Sequence, residues 1–492
     1  MIHMPQYTLH GVTIDDPYQW LEDLDSPQTR EWVAQQNHRT AAFFDTVLER
    51  EAIRKRLTEL WNYEKCGVPV KEGGRYFFTR NDGLQNQNVL YTMDRLDDPP
   101  RVLIDPNKFS ADGTVALTTI RPSHDGRLVA YGIAGSGSDW EEWRVLDVAS
   151  AAPLSDHLKW IKFSTVTWTA DNKGFFYCRY DEPSKDSELQ GANYFQKLCY
   201  HRLGASQSAD ELVYFRPDQK EWVYEAIVSD GGRYLIIHVW KATGINDNIF
   251  YRDLQTNGSI VELIANFEAR YHFIGNDGPM FWFQTDRHAP RGRVIAIDTR
   301  KPQPEAWREI IPERSQTLEA TSIAGDRFIA RYLRDAQAHI EIFSLEGESL
   351  RVLELPGIGS VTGFEGRRED AETFFDFTSF TTPARVYRYD VETGEMTLFH
   401  QPEPSFNPAD YLTRQVFYAS KDGTRIPMFI SHKLGLKLDG ENPTELYGYG
   451  GFNISLTPLY SPARLAWMEM GGVYAAPNLR GGGEYGEDWH QA

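Results

Sequence analysis

The middle of the chain, residues 67–402, alternates short runs of aromatic and β-branched residues with polar turns that contain Asp or Gly. Such runs are typical of short β-strands. The turns recur roughly every 45 to 60 residues, which is the period of a four-stranded propeller blade. The seven segments begin at Gly73, Asp125, Asp171, Asp230, Asn276, Gly325 and Glu369. The pattern predicts a mainly β fold with a seven-bladed β-propeller, although an array of β-sandwiches would also give dissimilar repeats.

Further apolar runs within this region also stop at a polar turn, as the later strands of each blade would. They cover residues 248–254, 293–298, 340–345 and 385–390. Ahead of the region the spacing of apolar residues becomes helical. Ser26 and Pro27 have the pattern of an N-cap followed by a proline at the first helical position. The sequence predicts one helix from there to about Arg50 and a second over residues 53–61.

Composition places the chain among globular proteins with more than one domain. It has 492 residues, of which 41% are hydrophobic and 25% charged, and chains of this length usually form two or three domains. The aromatic content is high, with 13 Trp, 25 Tyr and 27 Phe, which favours strands over helical bundles.

Charge and cysteine content exclude several classes of function. The net charge of −19 argues against a nucleic-acid partner, because binding phosphates needs a basic surface. Cys66, Cys178 and Cys199 lack the number and spacing of a disulfide framework or a zinc site. The N-terminus lacks the pattern of a signal peptide, and no window of 18 apolar residues predicts a membrane span. We therefore expect a cytoplasmic protein that does not bind membranes.

Two glycine-rich stretches near the C-terminus are the strongest candidates for chemistry. Residues 446–455, Leu-Tyr-Gly-Tyr-Gly-Gly-Phe-Asn-Ile-Ser, place three glycines within four positions. Such glycines allow positive φ and close approach to a ligand. An α/β-hydrolase uses a loop of this kind for part of its oxyanion hole, whereas a tight turn between packed aromatics would have the same composition. The second stretch, residues 478–490, contains Arg-Gly-Gly-Gly-Glu-Tyr-Gly.

Together these stretches resemble the start of the hydrolase domain of the prolyl oligopeptidases. The resemblance extends to residues 418–430, 437–440 and, near the N-terminus, 16–23. It implies a helical part of the hydrolase domain at 1–66, a propeller at 67–402 and the beginning of the α/β-hydrolase domain at 403–492. In the family, the N-terminal part packs on the hydrolase domain, and the propeller limits access to short peptides. The implied function is a monomeric serine endopeptidase that cleaves short proline-containing peptides after proline, without metal or cofactor.

The resemblance also implies roles for individual residues. Tyr449 would donate its hydroxyl to the oxyanion, unless it is instead a buried tyrosine bonded to a carbonyl. Phe452 would line the apolar pocket for the residue preceding the substrate proline, unless it belongs to the core. Phe163 would contact substrate from the propeller. Trp240 and Thr243 stand where animal members carry an arginine and a cysteine, so that part of the subsite differs.

The catalytic triad of the family is missing from these residues. No Gly-x-Ser-x-Gly sequence occurs in residues 1–492, and the family's Ser, Asp and His follow the second glycine-rich stretch. His490 matches a Trp-His pair of the family and not the catalytic histidine.

We therefore expect an N-terminal fragment of such a peptidase, inactive by itself. A non-catalytic propeller that binds partners, or completion of the domain by another chain, are the alternatives. In an incomplete hydrolase domain, Tyr447, Val473, Tyr474 and Leu479 would lack neighbours, and the C-terminal part would be poorly ordered.

Overall fold

A computed structural model describes residues 5–184, 191–241, 244–256 and 258–492. The chain forms two compact units, residues 1–59 and 60–492. The first unit contains an antiparallel hairpin and two helices, of which the second ends in the other unit. These elements are β1 (Gln6–Leu9), β2 (Val12–Asp15), α1 (Pro27–Phe44) and α2 (Arg50–Trp61).

Helix α1 begins as predicted, and it ends earlier than predicted. The Ser26 side chain accepts a hydrogen bond from the Thr29 amide, with Pro27 at the first helical position. The predicted end near Arg50 is wrong, because the helix stops at Phe44. The Thr46 hydroxyl donates to the Phe43 carbonyl at 2.7 Å, and such a local bond competes with continuation of the helix.

The second unit holds seven antiparallel sheets that follow one another along the described part of the chain. We number them sheets 1 to 7. Their strands are β3 (Lys65–Cys66), β4 (Val70–Glu72), β5 (Arg75–Asn81), β6 (Val89–Met93) and β7 (Arg101–Ile104) in sheet 1; β8 (Val115–Pro122), β9 (Leu128–Gly135), β10 (Glu141–Asp147) and β11 (Ala152–Ile161) in sheet 2; β12 (Thr167–Trp168), β13 (Gly174–Arg179), β14 (Lys197–Arg202) and β15 (Glu211–Tyr214) in sheet 3; and β16 (Trp222–Val228), β17 (Tyr234–Lys241), β18 (Asp247–Asp253) and β19 (Val261–Ile264) in sheet 4.

Sheets 5 to 7 repeat the same four-stranded antiparallel order. Their strands are β20 (Tyr271–Asp277), β21 (Met280–Thr285), β22 (Arg293–Asp298) and β23 (Arg308–Ile311) in sheet 5; β24 (Thr317–Ala324), β25 (Arg327–Arg334), β26 (Gln337–Ser344) and β27 (Ser349–Val352) in sheet 6; and β28 (Ser360–Gly363), β29 (Glu372–Thr378), β30 (Arg385–Asp390) and β31 (Met396–His400) in sheet 7. All seven turns that the sequence pattern singled out connect two of these strands, in sheet 1 β4 to β5 and in the other sheets the first strand to the second.

Apolar clusters join each sheet to the next. Trp282 of sheet 5, for example, packs edge-on against Phe328 of sheet 6, with ring centroids 5.5 Å apart. The last sheet also packs on the first, where Phe374 lies 5.8 Å from Tyr76. Burial of such aromatic side chains is the dominant stabilising contribution in sheet packing.

The turns of the sheets meet at one end of this assembly. From the turn of sheet 7, Arg367 contacts Glu72 of sheet 1 at 2.7 Å. The neighbouring Arg368 contacts Asp277 of sheet 5 and Asp326 of sheet 6, at 3.2 and 2.6 Å. Two arginines of one turn therefore join the turns of three other sheets.

After sheet 7 the chain forms a smaller mixed sheet and two short helices. The sheet has the order β32-β33-β35-β34, with β34 parallel to β35 and the other pairs antiparallel. These elements are β32 (Tyr411–Ala419), β33 (Arg425–Lys433), β34 (Thr444–Leu446), α3 (Pro462–Glu469), β35 (Val473–Pro477) and α4 (Glu487–Gln491).

The expectation that Val473 and Tyr474 lack neighbours is wrong. Both side chains are buried, and Tyr474 packs against Phe380 of the segment after β29, with ring centroids 5.5 Å apart. The side chain that covers Tyr474 therefore comes from residues 60–492. The expectation is also wrong for Leu479, whose half-buried side chain lies against Gly448 and Gly450. Tyr447, in contrast, keeps 41% of its surface exposed.

Candidate functional site: the glycine loop and the cavity beside it

The first glycine-rich stretch leaves β34 as a loop whose backbone is fixed at its start. The Tyr447 amide donates to the Ala475 carbonyl at 2.9 Å, which continues the pairing of β34 with β35. Gly450 then takes a φ of +65°, and Phe452 takes a φ of +54°. A left-handed conformation at phenylalanine is uncommon. We call residues 447–452 the glycine loop.

The second glycine-rich stretch lies directly against this loop. The Asn453 amide donates to the Gly481 carbonyl at 3.0 Å. Gly481 has a φ of +95°, and a Cβ there would collide with the Gly450 carbonyl oxygen. Only glycine fits this position, because the φ and the contact both exclude a side chain. The two glycine-rich stretches therefore form one backbone-to-backbone contact.

Tyr449 and Phe452 lie side by side on the glycine loop. Their ring centroids are 6.4 Å apart, and their exposed fractions are 47% and 83%. Among the described residues, the Tyr449 hydroxyl has no hydrogen-bond partner. Tyr449 is thus not the buried, carbonyl-bonded tyrosine of the alternative interpretation, and Phe452 is not a core residue. Their roles in oxyanion and substrate binding stay predictions.

A buried glutamate holds the second stretch in place. The Glu484 carboxylate is 1% exposed, and it accepts hydrogen bonds from the Leu456 amide at 2.8 Å and the Asn478 side chain at 3.1 Å. Burial raises the pKa of Glu484. Its backbone carbonyl accepts from the Thr317 hydroxyl of β24 at 3.0 Å. The stretch is thereby fixed to sheet 6.

A cavity of about 570 Å³ opens beside the two stretches. Sheets 4, 5 and 6 supply most of its wall, and Asn453, Ser455, Gly483 and Gly486 supply the rest. Asn453 directly follows Phe452 in the chain. The cavity wall therefore begins one residue after the glycine loop, while Tyr449 and Phe452 themselves do not line it.

Ionisable side chains from separate strands line the cavity. Burial raises the pKa of Glu225, on β16, and it raises the pKa of Asp247, on β18, from 3.8 to about 7. Burial also lowers the pKa of His238, on β17, from 6.5 to about 3. Sequence reasoning missed these three residues. The available signal was their position around Trp240, which the family resemblance had singled out and which also lines the cavity.

Phe163 lies outside the cavity wall, close to one of its residues. Its side chain is 56% exposed, and its φ is +53°. Thr165, two residues later, places its hydroxyl 3.4 Å from the Glu225 carboxylate. Phe163 is thus accessible, while its contact with substrate stays a prediction. Thr243 lies outside the described residues.

His490 makes a structural contact within the second stretch. Its Nδ1 is 2.9 Å from the Gly481 carbonyl oxygen, and the neighbouring Trp489 donates its indole N–H to the Leu479 carbonyl at 3.2 Å. Within the described ranges, no group of three or more His, Cys, Asp and Glu side chains is arranged to hold a metal ion. No helix of the described residues is long and apolar enough to cross a bilayer.

Comparison with known families identifies the chain. A family model described as the prolyl oligopeptidase N-terminal β-propeller domain matches residues 4–402, and a second, described as the prolyl oligopeptidase family, matches residues 458–492. The chain belongs to the prolyl oligopeptidase family. The predicted family and the β-propeller are thereby confirmed.

Individual members of the prolyl oligopeptidase family agree with this assignment along the whole chain. A prolyl endopeptidase of Elizabethkingia meningoseptica is 40% identical over 485 residues, which cover 99% of this chain and 68% of that protein. A solved structure from a study of two prolyl endopeptidases has a TM-score of 0.93 at 35% identity, covering 100% of this chain and 72% of its own. Prolyl oligopeptidase B from Galerina marginata, bound to a 35mer substrate, also has a TM-score of 0.93, at 31% identity, covering 99% and 72%.

Proposed function

We propose that this chain forms the peptide-binding part of a serine endopeptidase that cleaves short peptides on the carboxyl side of proline. The observation that carries the proposal is the position of Tyr449. Its side chain is 47% exposed and its hydroxyl has no partner among the described residues, on a loop that packs against the second glycine-rich stretch and leads into the wall of a cavity of about 570 Å³.

The proposed domain organisation follows the sequence prediction. Each of the seven sheets is one blade of a seven-bladed propeller at 67–402, which restricts access to short, flexible peptides. Residues 1–66 and 403–492 belong to an α/β-hydrolase domain of which these residues form a part. The proposed enzyme is cytoplasmic and monomeric, and it uses neither a metal ion nor a cofactor.

Within the proposed reaction, Tyr449 stabilises the tetrahedral intermediate. Its phenol would donate a hydrogen bond to the developing oxyanion, a contact worth about 3 to 4 kcal/mol of transition-state stabilisation. The exposed ring of Phe452 would provide apolar contact next to the substrate proline. The nucleophile, base and orienting carboxylate of a serine peptidase are not assigned to any of residues 1–492, so we expect this chain by itself to bind peptides without cleaving them.

Calorimetric titration tests the proposal with an acetylated Gly-Pro-containing hexapeptide and its proline-to-alanine analogue. We expect the proline peptide to bind several-fold more tightly. Phe452→Ala should weaken binding of the proline peptide by removing the apolar contact for the residue before proline, while the control Leu350→Ala, on exposed β27, should leave binding unchanged. Equal binding of both peptides would contradict the proposal and favour a propeller that binds other partners. Hydrolysis of a proline amide by the 492-residue chain, blocked by a serine-directed inhibitor, would contradict its expected inactivity.

A further inference from the structure

The wall of the cavity carries more carboxylates than basic groups. Glu225, Asp247, Asp286 and Glu319 face two arginines, Arg270 and Arg291. Arg270 is already paired, with its Nε 2.6 Å from Asp286 and its Nη2 3.6 Å from Glu487. Among the described residues, no Lys or Arg nitrogen lies within 4 Å of the carboxylates of Glu225 or Asp247. In the described part of the chain, these two half-buried acids therefore form no ion pair.

Two further buried polar atoms in the same wall lack a partner among the described residues, and the first, a histidine nitrogen, is an acceptor when the ring proton is on Nδ1. His238 is 5% exposed, and its Nε2 has no hydrogen-bond partner in the described part of the chain. The Gln284 amide donates through Nε2 to the carbonyls of Leu318 and Glu319, at 3.0 and 3.3 Å. This orientation leaves its buried Oε1 as an acceptor without a partner. Buried polar atoms are nearly always hydrogen-bonded, so an unpartnered group indicates a missing ligand or water.

The surplus acceptors define the chemistry of the ligand that fits. An ammonium or guanidinium group offers several N–H donors and a positive charge, and it has no acceptor of its own. The Trp240 indole in the same wall adds an aromatic surface on which a cation can lie. A carboxylate in this position would add to the surplus of negative charge.

We propose that this cavity selects peptides that carry a positively charged group, with Glu225 and Asp247 as the residues that bind it. The inference deepens the proposed peptidase function and rests on it, because the peptide is taken to extend from the glycine loop into the cavity. The cation comes from a lysine or arginine side chain or from a free peptide N-terminus.

Proton release is a consequence of this binding mode. Burial raises the pKa of Asp247 to about 7, so part of the carboxyl groups are protonated at neutral pH. A bound cation favours the ionised form and expels the proton. The charged groups that act on Asp247 are Arg270, which lowers its pKa, and Asp286 and Glu225, which raise it. Affinity for a lysine peptide should therefore rise between pH 6 and pH 8, whereas a free N-terminus begins to lose its own charge near pH 8.

Calorimetric titration of the 492-residue chain with a matched peptide series tests the inference. The parent is an acetylated hexapeptide amide ending in Gly-Pro, with lysine, norleucine or glutamate substituted at one position at a time. A norleucine peptide with a free N-terminus distinguishes the two sources of the cation. We expect at least one lysine peptide, or the free-amine peptide, to bind about tenfold more tightly than its neutral counterpart, as for a hydrogen bond to a charged group.

A protein with a net charge of −19 attracts any cationic peptide at long range. Substitutions in the cavity wall distinguish that attraction from binding of the cation by Glu225 and Asp247. Asp247→Asn and Glu225→Gln should each reduce the preference for the cation to about twofold or less. Glu392→Gln removes one charge at an exposed turn of sheet 7 and should leave the preference unchanged. Circular dichroism checks that each variant is folded. If Asp247→Asn does not fold, Glu225→Gln provides the test.

The outcomes distinguish this inference from the proposed function. A lysine preference in a series whose proline and alanine peptides bind equally supports the cation site and contradicts the proline specificity. A proline preference without any preference for lysine, arginine or a free amine overturns the cation site alone. The cation site is also overturned if Glu392→Gln lowers the preference for the cation as much as Asp247→Asn does. It is likewise overturned if the chain binds none of the peptides.

Discussion

Replacement of His201 by alanine measures how much one buried charge network stabilises sheet 3. His201, on β14, lies between two carboxylates, with Nδ1 2.7 Å from Asp210 and Nε2 3.0 Å from Asp156. None of the three side chains is more than 3% exposed. Without the imidazolium, both carboxylates remain buried and lose their cation. Removing one partner of a buried ion pair costs about 3 to 5 kcal/mol, and we expect a loss of this size.

An exposed histidine pair serves as the surface control. His157 Nε2 lies 2.7 Å from the Glu142 carboxylate, and their side chains are 35% and 45% exposed. Glu142 also lies 3.3 Å from Lys159, so its carboxylate keeps a cation and contact with water when His157 is removed. An exposed pair contributes about 0 to 1 kcal/mol. His157→Ala should therefore shift the urea midpoint much less than His201→Ala, as followed by circular dichroism and tryptophan fluorescence.

The pH dependence of the free energy of unfolding provides a second test of the role of His201. Burial lowers the pKa of His201, but the hydrogen bonds to Asp210 and Asp156 raise it more, to a value above the usual 6.5. The folded state therefore binds the proton more tightly than the unfolded state, and this stabilisation is complete below about pH 6.5. It is lost as the pH rises through the folded-state pKa. Two results would refute this reasoning. One is that His201→Ala lowers the free energy of unfolding no more than His157→Ala does. The other is that the stability of His201→Ala falls with rising pH as steeply as that of the unsubstituted chain.

Three further substitutions test other parts of the structure. Glu372→Ala removes a carboxylate, 6% exposed, that binds the partly exposed Lys71 and Arg388 and accepts from the buried Tyr76 hydroxyl, so urea titration should show a loss of about 1 to 3 kcal/mol; no loss would contradict a role in joining sheets 1 and 7. Gly481→Ala forces a side chain to a φ of +95°, which should cost at least about 1 to 3 kcal/mol in thermal unfolding and weaken peptide binding. Arg368→Ala removes ion pairs to two exposed carboxylates and a contact with the Trp282 ring, so we expect a loss of about 1 to 2 kcal/mol in urea titration; no loss would contradict a role in joining sheets 5, 6 and 7.

The turns of the sheets could be predicted from sequence because their chemistry is local. Asp125 accepts a hydrogen bond from the Arg127 amide at 3.1 Å, and Asp171 accepts one from the Lys173 amide at 3.2 Å. Each is an aspartate that closes a turn with its own backbone two residues later. A contact within three residues repeats wherever the motif repeats. The spacing of the turns is therefore visible without any knowledge of the fold.

The cavity could not be predicted in this way because its wall is assembled from distant strands. Glu225, His238, Asp247 and Gln284 come from four strands in two sheets, and no local pattern links them. The wrong expectation for Tyr474 has the same origin, since Phe380, which covers it, lies 94 positions earlier in the chain (474 − 380). Tyr449 and Phe452 could be singled out because the glycine loop is a contiguous motif.

The two ends of the sheets differ in how their charges are satisfied. At the turn end, Arg367 and Arg368 pair with carboxylates from sheets 1, 5 and 6. The cavity lies at the other end of the strands, since Thr317 and Leu333, which pair where β24 meets β25, line it. There Glu225 and Asp247 have no such arginine among the described residues. Glu72, Asp277 and Asp326 at the turn end already have their counter-ions and join the sheets to one another. Those at the cavity end can still gain free energy from a ligand, so a positive charge on the peptide should matter at the cavity and not at the turns.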